Sequence, residues 1–186
     1  MIIVLALLVI AACAAAIELD RRRGVRRSLN QLIHSSDLLG QLSRDPDGQV
    51  RRRAARNLWC PPEILEQLIR DSDSEVRRAV ADNLNCPPAA LDQLSQDPDW
   101  LVRQEVADNP NCSPETLDQM SHDADRAVRL VAADNAKTPP ETLSRLLQDS
   151  WLPVQKAAAR NVCTPRQAVT AWHLAQTDSH SNRQPI

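Results

Sequence analysis

Hydrophobic and polar positions recur along most of the chain at a constant interval of 26 residues. A valine opens each of five periods, and an asparagine follows each valine seven residues later. These positions are Val50, Val76, Val102, Val128 and Val154, with Asn57, Asn83, Asn109, Asn135 and Asn161. A fixed period of this length is typical of a solenoid, in which each repeat is too small to bury its apolar face alone and packs on its neighbours.

Each repeat predicts a first short helix that begins at a pair of prolines. In residues 138–141, Thr-Pro-Pro-Glu, the threonine is expected to cap the helix, and the glutamate to complete a capping box. Proline is expected at the first helical position, where the amide has no helical partner. Leu65 and Leu68 give one apolar face, and an aspartate such as Asp71 marks the helix end.

The second helix of each repeat is predicted from the pattern Val-Arg-x-x-Val-Ala-x-Asn. Val76 and Val80 lie one turn apart and are expected to face inward, while Ala81 lets a neighbouring helix approach closely. Asn83 is expected to end the helix in the left-handed conformation. The helix is short enough for 3₁₀ geometry, and neither helix of a repeat is stable in isolation.

The complete unit adds Cys/Thr-Pro-Pro-Glu-x-Leu-x-x-Leu and Asp-x-Asp to that pattern, and it resembles the leucine-rich repeat variant family. HEAT-type repeats, which share the Asp…Val-Arg element, are the near neighbour. The resemblance covers residues 50–174 and implies an all-α, right-handed solenoid of short helix pairs that serves as an interaction module. The Cys-rich iron–sulfur segment of that family is not matched, since only Cys13 precedes Cys60.

Four segments follow from the pattern. Residues 1–19 are predicted to be a hydrophobic N-terminal helix and membrane anchor, because residues 1–17 carry no charge and are just long enough to span a bilayer. A cleaved signal, a lipoprotein anchor at Cys13 and an apolar cap remain alternatives. Residues 20–49 are predicted to be a basic juxtamembrane segment with a degenerate capping repeat. Residues 50–174 hold five repeats, the last one a cap, and residues 175–186 a disordered tail.

A cluster of arginines follows the apolar segment and bears on where the protein resides. Positive charge beside a membrane span stays in the cytoplasm, so the sequence predicts a single-pass membrane protein whose repeats face the cytoplasm. The same side chains could contact anionic lipid, or they could only set the topology. They are Arg21, Arg22, Arg23, Arg26 and Arg27.

Composition excludes some classes of function but does not identify one. The formal net charge is −2, and a weakly acidic array is a poor nucleic-acid binder because phosphate contacts need a basic face. All three glycines precede Val50, which leaves the repeats without a glycine-rich phosphate loop. With four Trp, no Phe and no Tyr, the core must consist of aliphatic side chains. We predict no catalytic residue, no metal and no cofactor.

One charged row is the candidate partner-binding site. It occupies the last turn of each second helix, away from the Val and Ala face, and it is acidic in the middle and basic at both ends. Its members are Arg56, Asp82, Asp108, Asp134 and Arg160. Solenoids bind partners along such strips, although solvation alone would also account for the row.

Three further sets of residues have structural explanations beside functional ones. The arginine ladder Arg51, Arg77, Arg103 and Arg129 is expected to bridge aspartates between helices or repeats. Cys60, Cys86 and Cys112 share a position that Thr138 and Thr164 occupy later, so a small N-cap residue is expected there, and their role is otherwise open. Trp59, Trp100 and Trp151 are either interface anchors or fillers between repeats.

The sequence therefore predicts a non-catalytic, membrane-anchored helical-repeat scaffold that binds an unidentified protein. Two alternatives stay open. The first is a HEAT-like enzyme or a metal- or iron–sulfur-binding protein, and the second is a secreted or lipid-anchored repeat protein.

Overall fold

The computed structural model of the 186-residue chain describes residues 36–181, with side chains described as far as Gln176. These residues form α-helices without any strand, which confirms the all-α prediction. Contacts divide the chain into two compact parts, an N-terminal module of residues 1–85 and a C-terminal module of residues 86–186. The helices of the N-terminal module are α1 (Ser36–Leu42), α2 (Gly48–Ala55), α3 (Pro62–Leu68) and α4 (Ser74–Asp82). Those of the C-terminal module are α5 (Pro88–Leu94), α6 (Trp100–Asp108), α7 (Pro114–Met120), α8 (Arg126–Asp134), α9 (Pro140–Leu146), α10 (Leu152–Arg160) and α11 (Arg166–Ser181).

The seven-residue helices α3, α5, α7 and α9 begin at proline, as predicted. The predicted capping box is wrong, however. In α9 the N-cap is Pro139, which has no side chain to offer, so Thr138 lies one position too early to cap. Its hydroxyl instead donates back to the carbonyl of Ala132 in the preceding helix. Only α7 has a side-chain cap among these four helices, in which Ser113 accepts from the amide of Thr116 at 3.1 Å.

The second helices, α2, α4, α6, α8 and α10, are regular α-helices of eight or nine residues, and we call them the long helices. Two aspartates define the turn before each of the first four. In α4, Asp73 accepts from the amide of Glu75 at 2.9 Å and so caps the helix. Asp71 accepts from the amide of Asp73 at 2.9 Å and fixes the turn. The same arrangement recurs at Asp45 and Asp47, Asp97 and Asp99, and Asp123 and Asp125.

The core consists of aliphatic side chains, as the composition requires. One leucine of each seven-residue helix is completely buried, and so are the valines and alanines on one face of the long helices. Because those faces carry small side chains, long helices pack directly on each other: α2 on α4 in the N-terminal module, and α6 on α8 on α10 in the C-terminal module. This serial packing is that of an α-solenoid. The buried leucines are Leu39, Leu65, Leu91, Leu117 and Leu143.

Asn83, Asn135 and Asn161 connect their repeats to the preceding ones by hydrogen bonds. The left-handed backbone conformation predicted for the asparagine is wrong. Asn83 is extended, with φ −73° and ψ 125°, and no described residue has a positive φ. The Nδ2 atom of Asn83 donates to the carbonyls of Ala55 at 2.6 Å and Asn57 at 3.0 Å. Helix ends leave carbonyls unpaired, and here the next repeat supplies the donor. Asn135 and Asn161 donate in the same way to the repeat before each of them.

The last repeat makes contacts that differ from those of the earlier repeats. Gln155 stands where earlier repeats have arginine, and its Oε1 accepts from the indole of Trp172 at 3.0 Å and from Gln176 at 3.3 Å. These contacts hold α11 against α10. The predicted tail of residues 175–186 begins inside α11, because this packing continues the helix to Ser181. Residues 182–186 lie outside the described residues.

The structure contradicts the predicted single-pass membrane localisation. Within residues 36–181 no helix is long and apolar enough to cross a bilayer. The longest, α11, has 16 residues, and at 1.5 Å per residue it falls short of the ~30 Å hydrocarbon core. The predicted anchor, residues 1–19, and the predicted membrane-surface arginines, Arg21, Arg22, Arg23, Arg26 and Arg27, lie outside the described residues.

The Asn contacts predict that Asn161→Ala destabilises the C-terminal module by about 2–3 kcal/mol, because it removes two donors to carbonyls and one acceptor at once. The lost contacts join Nδ2 to the carbonyls of Ala133 at 2.8 Å and Asn135 at 2.9 Å, and Oδ1 to the amide of Cys163 at 3.0 Å. Urea unfolding followed by far-UV circular dichroism measures the loss. Val162→Ser, at the next and fully exposed position, is the control and should unfold as the wild type does. Equal midpoints for all three proteins would contradict the structural role of the asparagine.

Candidate interaction surface

The predicted charged row lies at the C-terminal ends of the long helices. In the N-terminal module, Arg56 is the C-cap of α2 and Asp82 is the last residue of α4. In the C-terminal module, Asp108, Asp134 and Arg160 are the last residues of α6, α8 and α10. All five side chains are exposed. The sequence therefore placed these residues correctly on the surface, and their role in binding stays a prediction.

The three aspartates are electrostatically unfavourable where they stand. The C-terminus of a helix carries partial negative charge, so a carboxylate in the last turn costs about 0.3–1 kcal/mol. The side chains of Asp82, Asp108 and Asp134 make no hydrogen bond or ion pair with any other described residue. Nothing in the folding of these repeats therefore explains why an acid rather than a base ends three helices.

The residues one turn before the charged row differ from one long helix to the next. One turn before Asp82, Arg78 lies near Glu75, which also pairs with Arg52 at 3.1 Å. In the C-terminal module the corresponding residue Leu130 is half-buried and packs against the core. In α10, however, the corresponding residue Lys156 is exposed, so the charged surface there extends one turn back from Arg160.

A row of apolar side chains lies next to the charged row, and the sequence analysis missed it. The residue directly after each periodic asparagine is apolar in all five repeats, and every one of these side chains is exposed. The exposed fraction is 64% for Leu58, 55% for Leu84 and 89% for Val162. The constant position after asparagine was the available signal. The complete row is Leu58, Leu84, Pro110, Ala136 and Val162.

The arginine ladder lies at the opposite end of the long helices and is used internally. Arg103 forms a two-pronged ion pair with Asp123, with Nε to Oδ2 at 2.6 Å and Nη2 to Oδ1 at 2.9 Å. Its Nη1 donates to the carbonyl of Asp97 at 2.7 Å. Arg51 and Arg129 repeat this geometry with Asp71 and Asp149. The predicted bridging between repeats is confirmed, so these arginines do not present a phosphate-binding surface.

The ion pairs shift the titration of the aspartates that they hold. The hydrogen bond from Arg51 lowers the pKa of Asp71 below its usual value, against the opposing effect of burial. Burial raises the pKa of Asp123 and Asp149, but the hydrogen bonds from Arg103 and Arg129, with backbone amides, outweigh it. The pKa of all three carboxyls is therefore lower than the usual value for aspartate.

The three repeated cysteines are buried and do not have the predicted N-cap role, because the N-caps of α3, α5 and α7 are Pro61, Pro87 and Ser113. Burial raises the pKa of the Cys60 thiol to about 11. Burial, with a contribution from Asp92, raises the pKa of Cys112 to about 12. Neither thiol is a thiolate near neutral pH, and the described residues hold no group of His, Cys, Asp and Glu side chains arranged to bind a metal.

The three candidate tryptophans differ in how far they are exposed to solvent. Trp59 is 63% exposed in the loop after α2, beside Leu58. Trp100 is 40% exposed at the start of α6. Trp151 is half-buried at the start of α10, where the guanidinium of Arg126 stacks 4.8 Å from the ring centroid. Trp59 is thus the most exposed of these three side chains.

Comparison with known proteins supports the interpretation of the chain as a helical repeat protein. The sequence model of the leucine-rich repeat variant family matches residues 75–99 and 100–125, two successive periods. The resemblance to the leucine-rich repeat variant family is confirmed. A solved structure described as a leucine-rich repeat variant with a novel repetitive protein structural motif is 29% identical, with a TM-score of 0.60 over 83% of this chain. The chain spans 62% of that protein's length.

Other comparisons add little. A crystal structure of an engineered protein is 23% identical, with a TM-score of 0.48, and the match covers 77% of this chain and 84% of that one. No curated protein sequence matches the chain. An all-helical repeat fold of the leucine-rich repeat variant kind suits interaction with proteins, because it presents the same exposed positions at regular intervals.

The ion pairs predict loss of stability in acid. An aspartate whose pKa is lower in the folded than in the unfolded chain contributes stability above the unfolded pKa of about 3.9, and that contribution is lost as the pH falls toward the folded pKa. Urea midpoints should therefore fall below about pH 4. Asp123→Asn, which keeps an acceptor for the amide of Asp125, should lower stability at pH 7 by about 1–3 kcal/mol and weaken the acid dependence. The exposed Glu115→Gln is the control, and an unchanged pH profile in Asp123→Asn would refute the assignment.

Burial also predicts which thiols react. Under native conditions iodoacetamide should modify Cys163, which is half-exposed, and spare Cys60, Cys86 and Cys112. In urea all four should react. Peptide mapping by mass spectrometry assigns each site, and rapid native labelling of Cys112 would contradict its burial.

Proposed function

We propose that this chain is a non-catalytic repeat scaffold that binds a protein through the acidic ends of its long helices. Asp82 in the N-terminal module, and Asp108 and Asp134 in the C-terminal module, are the residues that carry the interaction. The repeats of residues 50–174 present them, and the fifth repeat closes the array. The supporting observation is the three exposed carboxylates that no other described residue pairs and that weaken the helices they end.

The chemistry of the partner follows from this placement. A lysine or arginine of the partner would pair with the aspartate and also face the helix C-terminus, where a cation is favourable. The penalty that each carboxylate imposes on the free protein would thus be relieved in the complex. Arg56 and Arg160 carry the opposite charge at the same helix position, so they favour acidic partner residues flanking the basic ones.

Charge reversal separates this role from simple solvation. Asp82→Lys/Asp108→Lys/Asp134→Lys should abolish partner capture in affinity purification while keeping the helical content. It should also raise the thermal midpoint, because lysine suits a helix C-terminus better than aspartate does. Captured proteins are compared quantitatively by mass spectrometry, and binding of the captured partner should weaken with added salt.

A matched control makes the same change in net charge elsewhere. Glu63, Glu115 and Glu141 are exposed in the first turn of seven-residue helices, and their reversal to lysine should leave capture intact. Capture that survives reversal of the three aspartates, or that is lost equally in the control, would refute the proposal.

A further inference from the structure

The N-terminal module carries an apolar ladder that the acidic site does not use. Leu58 and Trp59 lie in the loop after α2, and Leu84 lies in the equivalent loop after α4. Their exposed fractions are 64%, 63% and 55%. Arg56 and Asp82 each stand two residues before an exposed leucine, so a charge accompanies each apolar step.

The spacing of this ladder is fixed by hydrogen bonds between the two loops. Nδ2 of Asn83 donates to the carbonyl of Asn57 at 3.0 Å, and Nδ2 of Asn85 donates to the carbonyl of Leu58. The helices that precede the loops, α2 and α4, pack directly on each other. Packed helices lie about 8–10 Å apart, so Leu58 and Leu84 are held about that far apart.

The fold does not require large apolar side chains at this position. In two repeats of the C-terminal module Pro110 and Ala136 take the place of the leucines, and Asn111 and Lys137 take the place of the tryptophan. In both repeats the periodic asparagine still accepts from the amide two residues later. Leucine and tryptophan in the N-terminal module therefore add exposed apolar area without a contribution to the core. Aromatic and aliphatic side chains of this kind anchor protein interfaces.

We propose that this edge of the N-terminal module binds an extended, polyproline II segment of a partner protein, one turn of the segment to each repeat. Two apolar side chains of the segment, three residues apart, contact Leu58 with Trp59 and Leu84. An acidic side chain faces Arg56, and a basic one faces Asp82. The segment thus follows the pattern acid–apolar–x–base–apolar.

The period of the partner follows from the period of the ladder. A polyproline II helix has three residues per turn and rises 3.1 Å per residue, so equivalent side chains recur on one face about every 9 Å. That rise matches the separation of adjacent repeats. Neighbouring residues of such a segment point to different faces, which lets one face carry charge and the next carry apolar groups. The third faces solvent.

A synthetic peptide tests the proposal directly. The probe is fluorescein-labelled Pro-Glu-Leu-Pro-Lys-Leu-Pro, and binding to the full chain is followed by anisotropy. The control peptide, Pro-Glu-Lys-Pro-Leu-Leu-Pro, has the same composition without the three-residue period. We expect the periodic peptide to bind at least about tenfold more tightly. Trp59→Ala and Leu84→Ala should each weaken it about tenfold. Val162→Ser, the same repeat position in the C-terminal module, should have no effect.

A charge exchange tests the orientation. Arg56→Glu/Asp82→Lys should lose the periodic peptide and bind its counterpart with Glu and Lys exchanged. Because all the altered side chains are exposed, circular dichroism should show unchanged helix in every variant. Equal binding of the two peptides, no effect of Trp59→Ala, or no exchange of preference would overturn the proposal. So would self-association of the chain that Trp59→Ala abolishes, or a preference for a helical peptide with leucines seven residues apart.

This inference shares Asp82 with the proposed acidic site but can fail separately from it. Asp108→Lys/Asp134→Lys removes the acidic pair of the C-terminal module and should leave binding of the periodic peptide unchanged. Loss of peptide binding in that variant would contradict an independent site in the N-terminal module.

Discussion

The structure depends on how the free carbonyls at the end of each long helix are satisfied. A helix leaves its last carbonyls without intrahelical donors, and a short helix has few other bonds to offset that cost. Here the donor comes from the side chain of an asparagine 26 or 28 residues later in the sequence. Within each module such a repeat therefore completes the one before it, and the exact period is the condition for the donor to reach the right carbonyl.

The arginine–aspartate pairs make an equivalent connection at the other end of the long helices. Arg103 contacts the turn of its own repeat through the carbonyl of Asp97 and the turn of the next repeat through Asp123. Between these two connections lie only valine and alanine faces, which are too small to lock neighbouring helices by shape alone. The chain needs both polar connections because its core is thin. At the end of the array the position equivalent to Asp149 is Ala175, and Gln155 accepts a hydrogen bond from Trp172 instead.

The sequence allowed correct prediction wherever local chemistry determines the outcome. Proline at the start of helices such as α3, leucine in the core and exposure of Asp108 all follow from spacing and side-chain type. Asn83 was misjudged because a local motif, the left-handed helix end, was available, whereas its true partners lie 26 and 28 residues away. Thr138 was misjudged by one position, because a proline pair moves the N-cap to a residue without a donor or acceptor side chain.

The apolar row escaped prediction for a different reason. Periodicity reveals residues that share a buried face, and an apolar residue outside that face looks like chance until its exposure is known. Leu58 and Leu84 stand directly after asparagines with hydrogen-bonded side chains: Asn57 accepts from the amide of Trp59, and Asn83 donates to the carbonyl of Ala55. At one end of each long helix, charge is neutralised by partners within the protein. At the other end, the side chains of Asp82, Asp108 and Asp134 have no partner among the described residues and lie close in sequence to exposed apolar residues.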